Sequence, residues 1–149
     1  MGAFDYGIYR KGMDGRNDSR LGAGIIAIKK ELIYNGFDKN IDPELPYFGD
    51  AVTNRLIEFQ ASRLPALVAD GQAGQKTLTE LFRKRVVATE KKFELTTGAL
   101  GKKLKLESGY DPIAVGYVDP LDTGIAQINL GAHPDVTKAE AFDPGFAIN

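Results

Sequence analysis

The chain has 149 residues, 43% of them hydrophobic and 26% charged, with 19 Lys plus Arg against 20 Asp plus Glu. Those proportions fit one globular domain or two small ones and exclude a disordered chain. A net charge of −1 lacks the basic surplus of a dedicated nucleic-acid binder, and the absence of Cys excludes disulfides, thiolate metal sites and a Cys nucleophile.

The first segment, Met1 to Arg20, is rich in Gly, Asp, Asn and Arg and reads as an extended lead-in. It lacks the basic start and apolar run of a secretory signal. The longest apolar stretch nearby, Gly22 to Ile28, is far shorter than the ~18–20 residues of a spanning helix, so no membrane insertion is expected. Asp18 or Ser19 can cap a helix beginning near Arg20, with Leu21, Ile25, Ile28 and Leu32 on one face and Gly36 as a left-handed terminator. Lys29, Lys30 and Glu31 are expected in solvent. Asn35 to Pro46 is a loop. A second helix spans about Asp50 to Arg63, with Val52, Leu56 and Phe59 inward, and Pro65 ends it or kinks its exit. Leu67 to Gly74 is a short apolar piece and a turn in which Gly71 and Gly74 permit close backbone approach. Asp70 and Thr77 are placed to cap amides around a third helix, Gln75 to Arg85, with Leu78, Leu81 and Phe82 inward.

Val86 to Leu106 reads as one or two helices broken around Thr97-Gly98. Gly109 to Gly124 is a loop, Ile125 to Asn129 is too short to separate strand from helix, and Asp143-Pro144 begins a further helix. Charge is segregated: residues 83–105 are strongly basic and residues 107–149 strongly acidic. The basic run is either a solvated helix surface or a contact for an anionic polymer.

Two ordered sets of residues carry chemistry. The first is Phe48-Gly49-Asp50-Ala51-Val52-Thr53, then Phe59-Gln60, then Asp70-Gly71-Gln72-Ala73-Gly74-Gln75-Lys76-Thr77. It resembles the peptidoglycan-binding three-helix module of bacterial hydrolases and phage lysins, over about residues 20–83. That module has a Phe-Gly start and a Phe-Gln in its second helix, and an Asp-Gly-x-x-Gly-x-x-Thr turn into its third. The loop Gly36–Pro46 is longer than the module's. The resemblance implies wall contact around Asp70, Gly71, Gln72, Gly74, Gln75 and Thr77, set against a purely structural role for the turn.

The second set is Glu107-Ser108-Gly109-Tyr110-Asp111-Pro112, followed by Asp122-Thr123-Gly124-Ile125-Ala126-Gln127-Ile128-Asn129. It resembles the soluble lytic transglycosylase and goose-type lysozyme superfamily, where a Glu-Ser at a helix end precedes a Gly-Leu-Met-Gln-Ile-like segment. Asp143-Pro144-Gly145-Phe146-Ala147-Ile148 resembles the stretch that opens a later helix there, with Ala147 in place of an Asn. Cleaving a glycosidic bond needs a proton on the leaving oxygen, and a carboxyl seated among apolar side chains or other carboxylates stays protonated at neutral pH. The resemblance makes Glu107 that acid. A hydrolase needs a second carboxylate, and the resemblance implies Asp122, roughly where goose-type lysozymes place a water-positioning acid, set against a plain Asp turn. A transglycosylase uses the substrate's own muramyl hydroxyl instead. Ser108, Tyr110, Gln127 and Asn129 are implied as substrate contacts. The single His133 does not make a zinc amidase site of the usual kind.

The expected architecture is mainly α: lead-in 1–19, peptidoglycan-binding three-helix module 20–85, and a lysozyme-like α(+β) domain 86–149 that ends in mid-pattern and is expected to be incomplete. The expected function is a phage endolysin-like glycosidase cleaving the β-1,4 bond between N-acetylmuramic acid and N-acetylglucosamine. It would need no metal or cofactor, act as a monomer on peptidoglycan, and accumulate in the host cytoplasm before lysis. The rival readings are a non-catalytic wall-binding protein and a phage tail component.

Overall fold

A computed structural model describes residues 8–108, together with 112, 122–123, 128–129, 135–137 and 148. Within them the chain is mainly α. Helix α1 (Ser19–Tyr34) starts where the Asp18 side chain accepts the Leu21 amide at 3.1 Å, satisfying one donor of the open first turn. Past its end, Gly36 sits at φ +89°, in the left-handed region that a Cβ disfavours. Helix α2 (Asp50–Ala61) stops slightly short of the expected Arg63. Helix α3 (Gln75–Lys92) runs on past Arg85, because Val86 keeps the inward phase of Leu78 and Phe82, and Thr89 and Glu90 are buried beyond it. The expected break follows, with Gly98 at φ +88° before helix α4 (Ala99–Ser108).

Two short strands, β1 (Asp122–Thr123) and β2 (Ile128–Asn129), pair antiparallel with Asp122 opposite Asn129 and Thr123 opposite Ile128. The end of the 125–129 segment is therefore strand. The helix expected from Asp143 lies outside the described residues, except that Ile148 is helical and buried.

One apolar cluster joins the helices. Ile25, Ile28 and Leu32 of α1 meet Val52, Leu56 and Phe59 of α2 and Leu78, Leu81, Phe82 and Val86 of α3, and Leu104 of α4 enters the same cluster. Each such side chain contributes about 1.5–3 kcal/mol by leaving water. Phe37 meets Phe59 edge-on, ring centroids 5.6 Å apart.

The lead-in is built into this core. Tyr9 is fully buried and exchanges backbone hydrogen bonds of 3.0 and 2.8 Å with Ala73. Gly12 donates to the Phe48 carbonyl at 2.9 Å, and Phe48 to Met13 at 2.9 Å. Residues 8–15 thus strap the entries to α2 and α3. Gly24 exists for this strap: a Cβ there would stand 2.5 Å from the Tyr9 hydroxyl oxygen and 2.7 Å from its ring. Gly24→Ala is expected to cost about 1–3 kcal/mol by overpacking, despite the roughly 1 kcal/mol that Ala gains over Gly within a helix. Urea denaturation measures it, and an unchanged midpoint would mean the ring is free to step aside.

Two of the three residues expected in solvent are buried. Only Lys30 is exposed. Glu31 is 1% exposed and takes a two-pronged ion pair from Arg85, whose Nε donates to both carboxylate oxygens at 2.9 and 3.0 Å. The Arg85 guanidinium also lies 4.4 Å from the centroid of the Tyr34 ring. Helical period assigns one inward face, but α1 is covered on two sides, by α3 and by the long loop. Lys29 faces that loop, its Nζ donating to the carbonyls of Leu45 at 2.5 Å and Asp42 at 3.2 Å.

Burial holds the Lys29 pKa below its usual 10.5, with the nearby Asp42 charge opposing the shift more weakly. Below the folded-state value both folded and unfolded chains bind the proton. Between that value and 10.5 the unfolded chain binds more, so stability rises with pH in this alkaline window. Lys29→Met is expected to flatten that rise, as followed by denaturation midpoints across the window.

Candidate functional site

The sharpest polar constellation among the described residues centres on Gln60, fully buried in the last turn of α2. Its Nε2 donates to the Gln72 carbonyl at 2.9 Å, to Thr77 Oγ1 at 3.1 Å and to Asp70 Oδ1 at 3.2 Å, while its Oε1 accepts the Gly71 amide at 2.9 Å. Asp70 Oδ1 also accepts the Gln72 amide at 2.9 Å, closing the turn locally. Gly71 sits at φ +73°, and a Cβ on it would lie 3.0 Å from Thr53 Cγ2. Both strain and space demand glycine there.

This corrects three details of the expected turn. Neither Asp70 nor Thr77 caps an amide of α3 itself, which begins at Gln75 behind the N-cap Gly74 with no side-chain cap, although Asp70 does accept the Gln72 amide just before it. They converge on Gln60, because a buried amide with two donors and an acceptor needs partners from several directions. Gly74 has φ −94°, and a methyl group added to it would meet only Ile8, at 3.8 Å, so the turn does not require glycine at that position. Of the six residues expected to touch the wall, Gly71 and Thr77 are buried and Gly74 half-buried, whereas Asp70, Gln72 and Gln75 are exposed. Gln75 lines a shallow groove of about 280 Å³ with Ala66, Leu67, Lys76, Thr79 and Glu80. Gln60 itself stands in the sequence only as half of a Phe-Gln pair. The one signal for it is a polar residue next to the core Phe59, on the buried side of a short helix.

For the second set, Glu107 and Ser108 end α4, and Asp122 and Asn129 face one another across the β1–β2 ladder. Tyr110, Gln127 and His133 lie outside the described residues. The start of α4 is tied to α3: the Glu90 carboxylate accepts the Leu100 amide at 2.9 Å, placing a negative charge at the positive end of the helix. Leu104 then anchors α4 in the core at 1% exposure.

Within the basic run, Arg83, Lys84, Lys91, Lys92, Lys102 and Lys103 are exposed, while Arg85 turns inward to Glu31. Among the described residues no group of His, Cys, Asp and Glu is arranged to hold a metal ion, and no helix is long and apolar enough to cross a membrane.

The fold and site thus define a mainly α protein with a strapped three-helix core and a Gln-locked turn. No protein family matches the chain, and no solved structure does. A curated octanoyltransferase of Novosphingobium aromaticivorans is 36% identical over 61 residues, which are 41% of this chain and 27% of that protein. The chain therefore spans about a quarter of that relative's length.

Proposed function

We propose that the chain is a cell-wall lysin, with residues 20–85 binding peptidoglycan and residues 86–149 belonging to a lysozyme-like domain that cleaves the β-1,4 bond between N-acetylmuramic acid and N-acetylglucosamine. The observation that supports it best is the locked turn. Gln60 holds the backbone of the turn from inside, leaving Asp70, Gln72 and Gln75 exposed, the last of them lining a groove. Amide and carboxylate side chains suit the N-acetyl and peptide amides of the wall, and a rigid turn reduces the ordering cost of binding. In this reading Glu107 protonates the leaving oxygen. Asp122 holds a water if the enzyme is a hydrolase, or the muramyl hydroxyl attacks if it is a transglycosylase. Ser108, Tyr110, Gln127 and Asn129 contact the sugars. The binding module raises the local concentration of the acid at an insoluble substrate. A phage endolysin of this kind accumulates in the host cytoplasm and acts once the membrane is breached.

Co-sedimentation with purified cell walls tests the binding half. The double substitution Gln72→Ala, Gln75→Ala is expected to reduce the pelleted fraction severalfold while leaving the thermal midpoint unchanged, since exposed side chains alter stability by only about 0.5 kcal/mol. Wild-type protein that stays in the supernatant would sink the binding assignment. Wild-type protein that pellets without clearing walls would make the chain a binder and not an enzyme.

A further inference from the structure

Asn35, the C-cap of α1, is followed by Gly36, and no other Asn in the chain precedes a glycine. The pair matters because Asn can lose its side-chain amide to its own backbone. The Gly36 nitrogen, having given its proton to hydroxide, attacks Asn35 Cγ. A new N–Cγ bond forms, the Cγ–Nδ2 bond breaks, and Nδ2 leaves as ammonia with a proton returned from water. The product is a five-membered succinimide. Water then opens the ring at one of its two carbonyl carbons, leaving aspartate or isoaspartate at position 35. A glycine in second place has no Cβ to obstruct the attack.

In the folded chain each reacting group is held. Asn35 Nδ2 donates to the Glu31 carbonyl of α1 at 2.8 Å and to the Leu81 carbonyl of α3 at 3.0 Å, joining the two helices. The Gly36 amide donates to the Ile33 carbonyl at 2.9 Å. Asn35 stands at ψ 2°. At that angle its own backbone nitrogen eclipses the Gly36 nitrogen, whereas ring closure needs its Cβ to do so. The reaction therefore has to wait until the end of α1 uncoils and Nδ2 leaves α3, a local opening.

The product cannot return to the closed arrangement. An aspartate has no donor for the two carbonyls that Nδ2 served, and its charge would face both oxygens at the negative end of α1. Lys84 and Arg85 of α3 are engaged with the Tyr34 carbonyl, at 3.1 Å, and with the Glu31 carboxylate. An isoaspartate also adds one atom to the backbone. The amides of Gly36 and Phe37, which donate to Ile33 and Leu32 at 2.9 Å, then lose their register. Phe37 carries that shift to Phe59 in the core.

We propose that Asn35-Gly36 is a deamidation site built as a one-way latch. It is closed while α1 is docked on α3, it converts when that docking opens, and its product keeps the docking open. The chain thereby carries a chemical record of each opening, whatever it binds.

The test is incubation of the full chain in mildly alkaline buffer, with and without urea, followed by mass spectrometry of tryptic peptide 31–39. Deamidation adds one mass unit there, and isoaspartate is read by its enzymatic methylation. Conversion is expected at least about tenfold more slowly in the folded chain than in urea, as for a group released only by local opening. The converted fraction, separated by ion exchange, is expected to have an unfolding equilibrium constant raised at least about tenfold, through two lost hydrogen bonds to carbonyls. Asn35→Asp, which supplies one product directly, is expected to do the same. Equal rates with and without urea would refute the latch. So would a converted fraction whose denaturation midpoint matches that of the unconverted chain. If Asn35→Asp does not fold, the separated fractions of the wild-type chain decide alone.

Discussion

Glu107→Gln is expected to abolish clearing of purified cell walls, with a fall in rate of at least about 10²-fold, the lower end of what a positioned general acid supplies. The substitution keeps the size and shape of the side chain and removes only the acidic proton. The leaving sugar oxygen then departs as an alkoxide, the step the acid exists to prevent. Wall co-sedimentation should be unchanged, because the binding turn is held from Gln60 of α2, whereas Glu107 belongs to α4. Turbidity of a wall suspension gives the rate, and equal clearing by both proteins would remove Glu107 from the role of acid. Mass spectrometry of the products then separates the chemistries. 1,6-anhydro ends mean the muramyl hydroxyl attacked, and Asp122→Asn should then be tolerated. Reducing ends mean water attacked, and Asp122→Asn should then be nearly as damaging as Glu107→Gln.

The largest effect on stability is expected at Gln60. Gln60→Leu preserves volume but strands the buried Gly71 amide and removes the donor to Thr77, both of which lie out of water. A stranded buried polar group costs about 1–3 kcal/mol, so a loss of about 2–4 kcal/mol is expected in urea denaturation. The Gln72 carbonyl, on an exposed residue, recovers a water partner. Gln60→Glu makes a sharper discrimination. It keeps the acceptor for Gly71 but places a carboxylate in a buried site beside Asp70. Desolvation and that like charge would raise the new carboxyl's pKa in the folded state, so the folded chain binds the extra proton first and stability recovers as pH falls. A Gln60→Glu protein equally unstable at acid and neutral pH would mean that the network is not what holds the turn. Both variants should also weaken wall binding more than loss of Gln72 and Gln75, since they disorder the backbone that presents those side chains.

The three helices are legible in the sequence because their apolar residues recur at helical spacing and their ends carry local signals. Asp18 caps α1, Gly36 and Gly98 adopt positive φ, and Phe59 and Phe82 are in the core, each from a few neighbouring residues. What periodicity misjudges are Lys29 and Glu31. Their burial depends on a loop and a third helix arriving from elsewhere in the chain, Glu31 meeting an arginine more than fifty positions away. The strap of residues 8–15 reads as a mere lead-in for the same reason. Tyr9 has no periodic neighbours, and its partners Gly24 and Ala73 are distant in sequence. Within the site, the Asp-Gly turn is visible as a string of residues. That its Asp and Thr point to a buried Gln60, and not to the third helix's amides, is not visible, because a side chain's partner is a matter of three-dimensional direction.

Sequence alone therefore settled a mainly α chain, the order of its first helices, the glycine turns and the pairs of residues worth testing chemically. These depend on local backbone preference and on one-dimensional spacing, both of which are properties of neighbouring residues. Tertiary packing decided which polar groups are buried and what satisfies them: Glu31 by Arg85, Lys29 by loop carbonyls, the turn by Gln60 and the Leu100 amide of α4 by Glu90. A buried polar group must find its partner wherever the fold supplies one, and only the packed chain brings those distant partners within hydrogen-bonding distance.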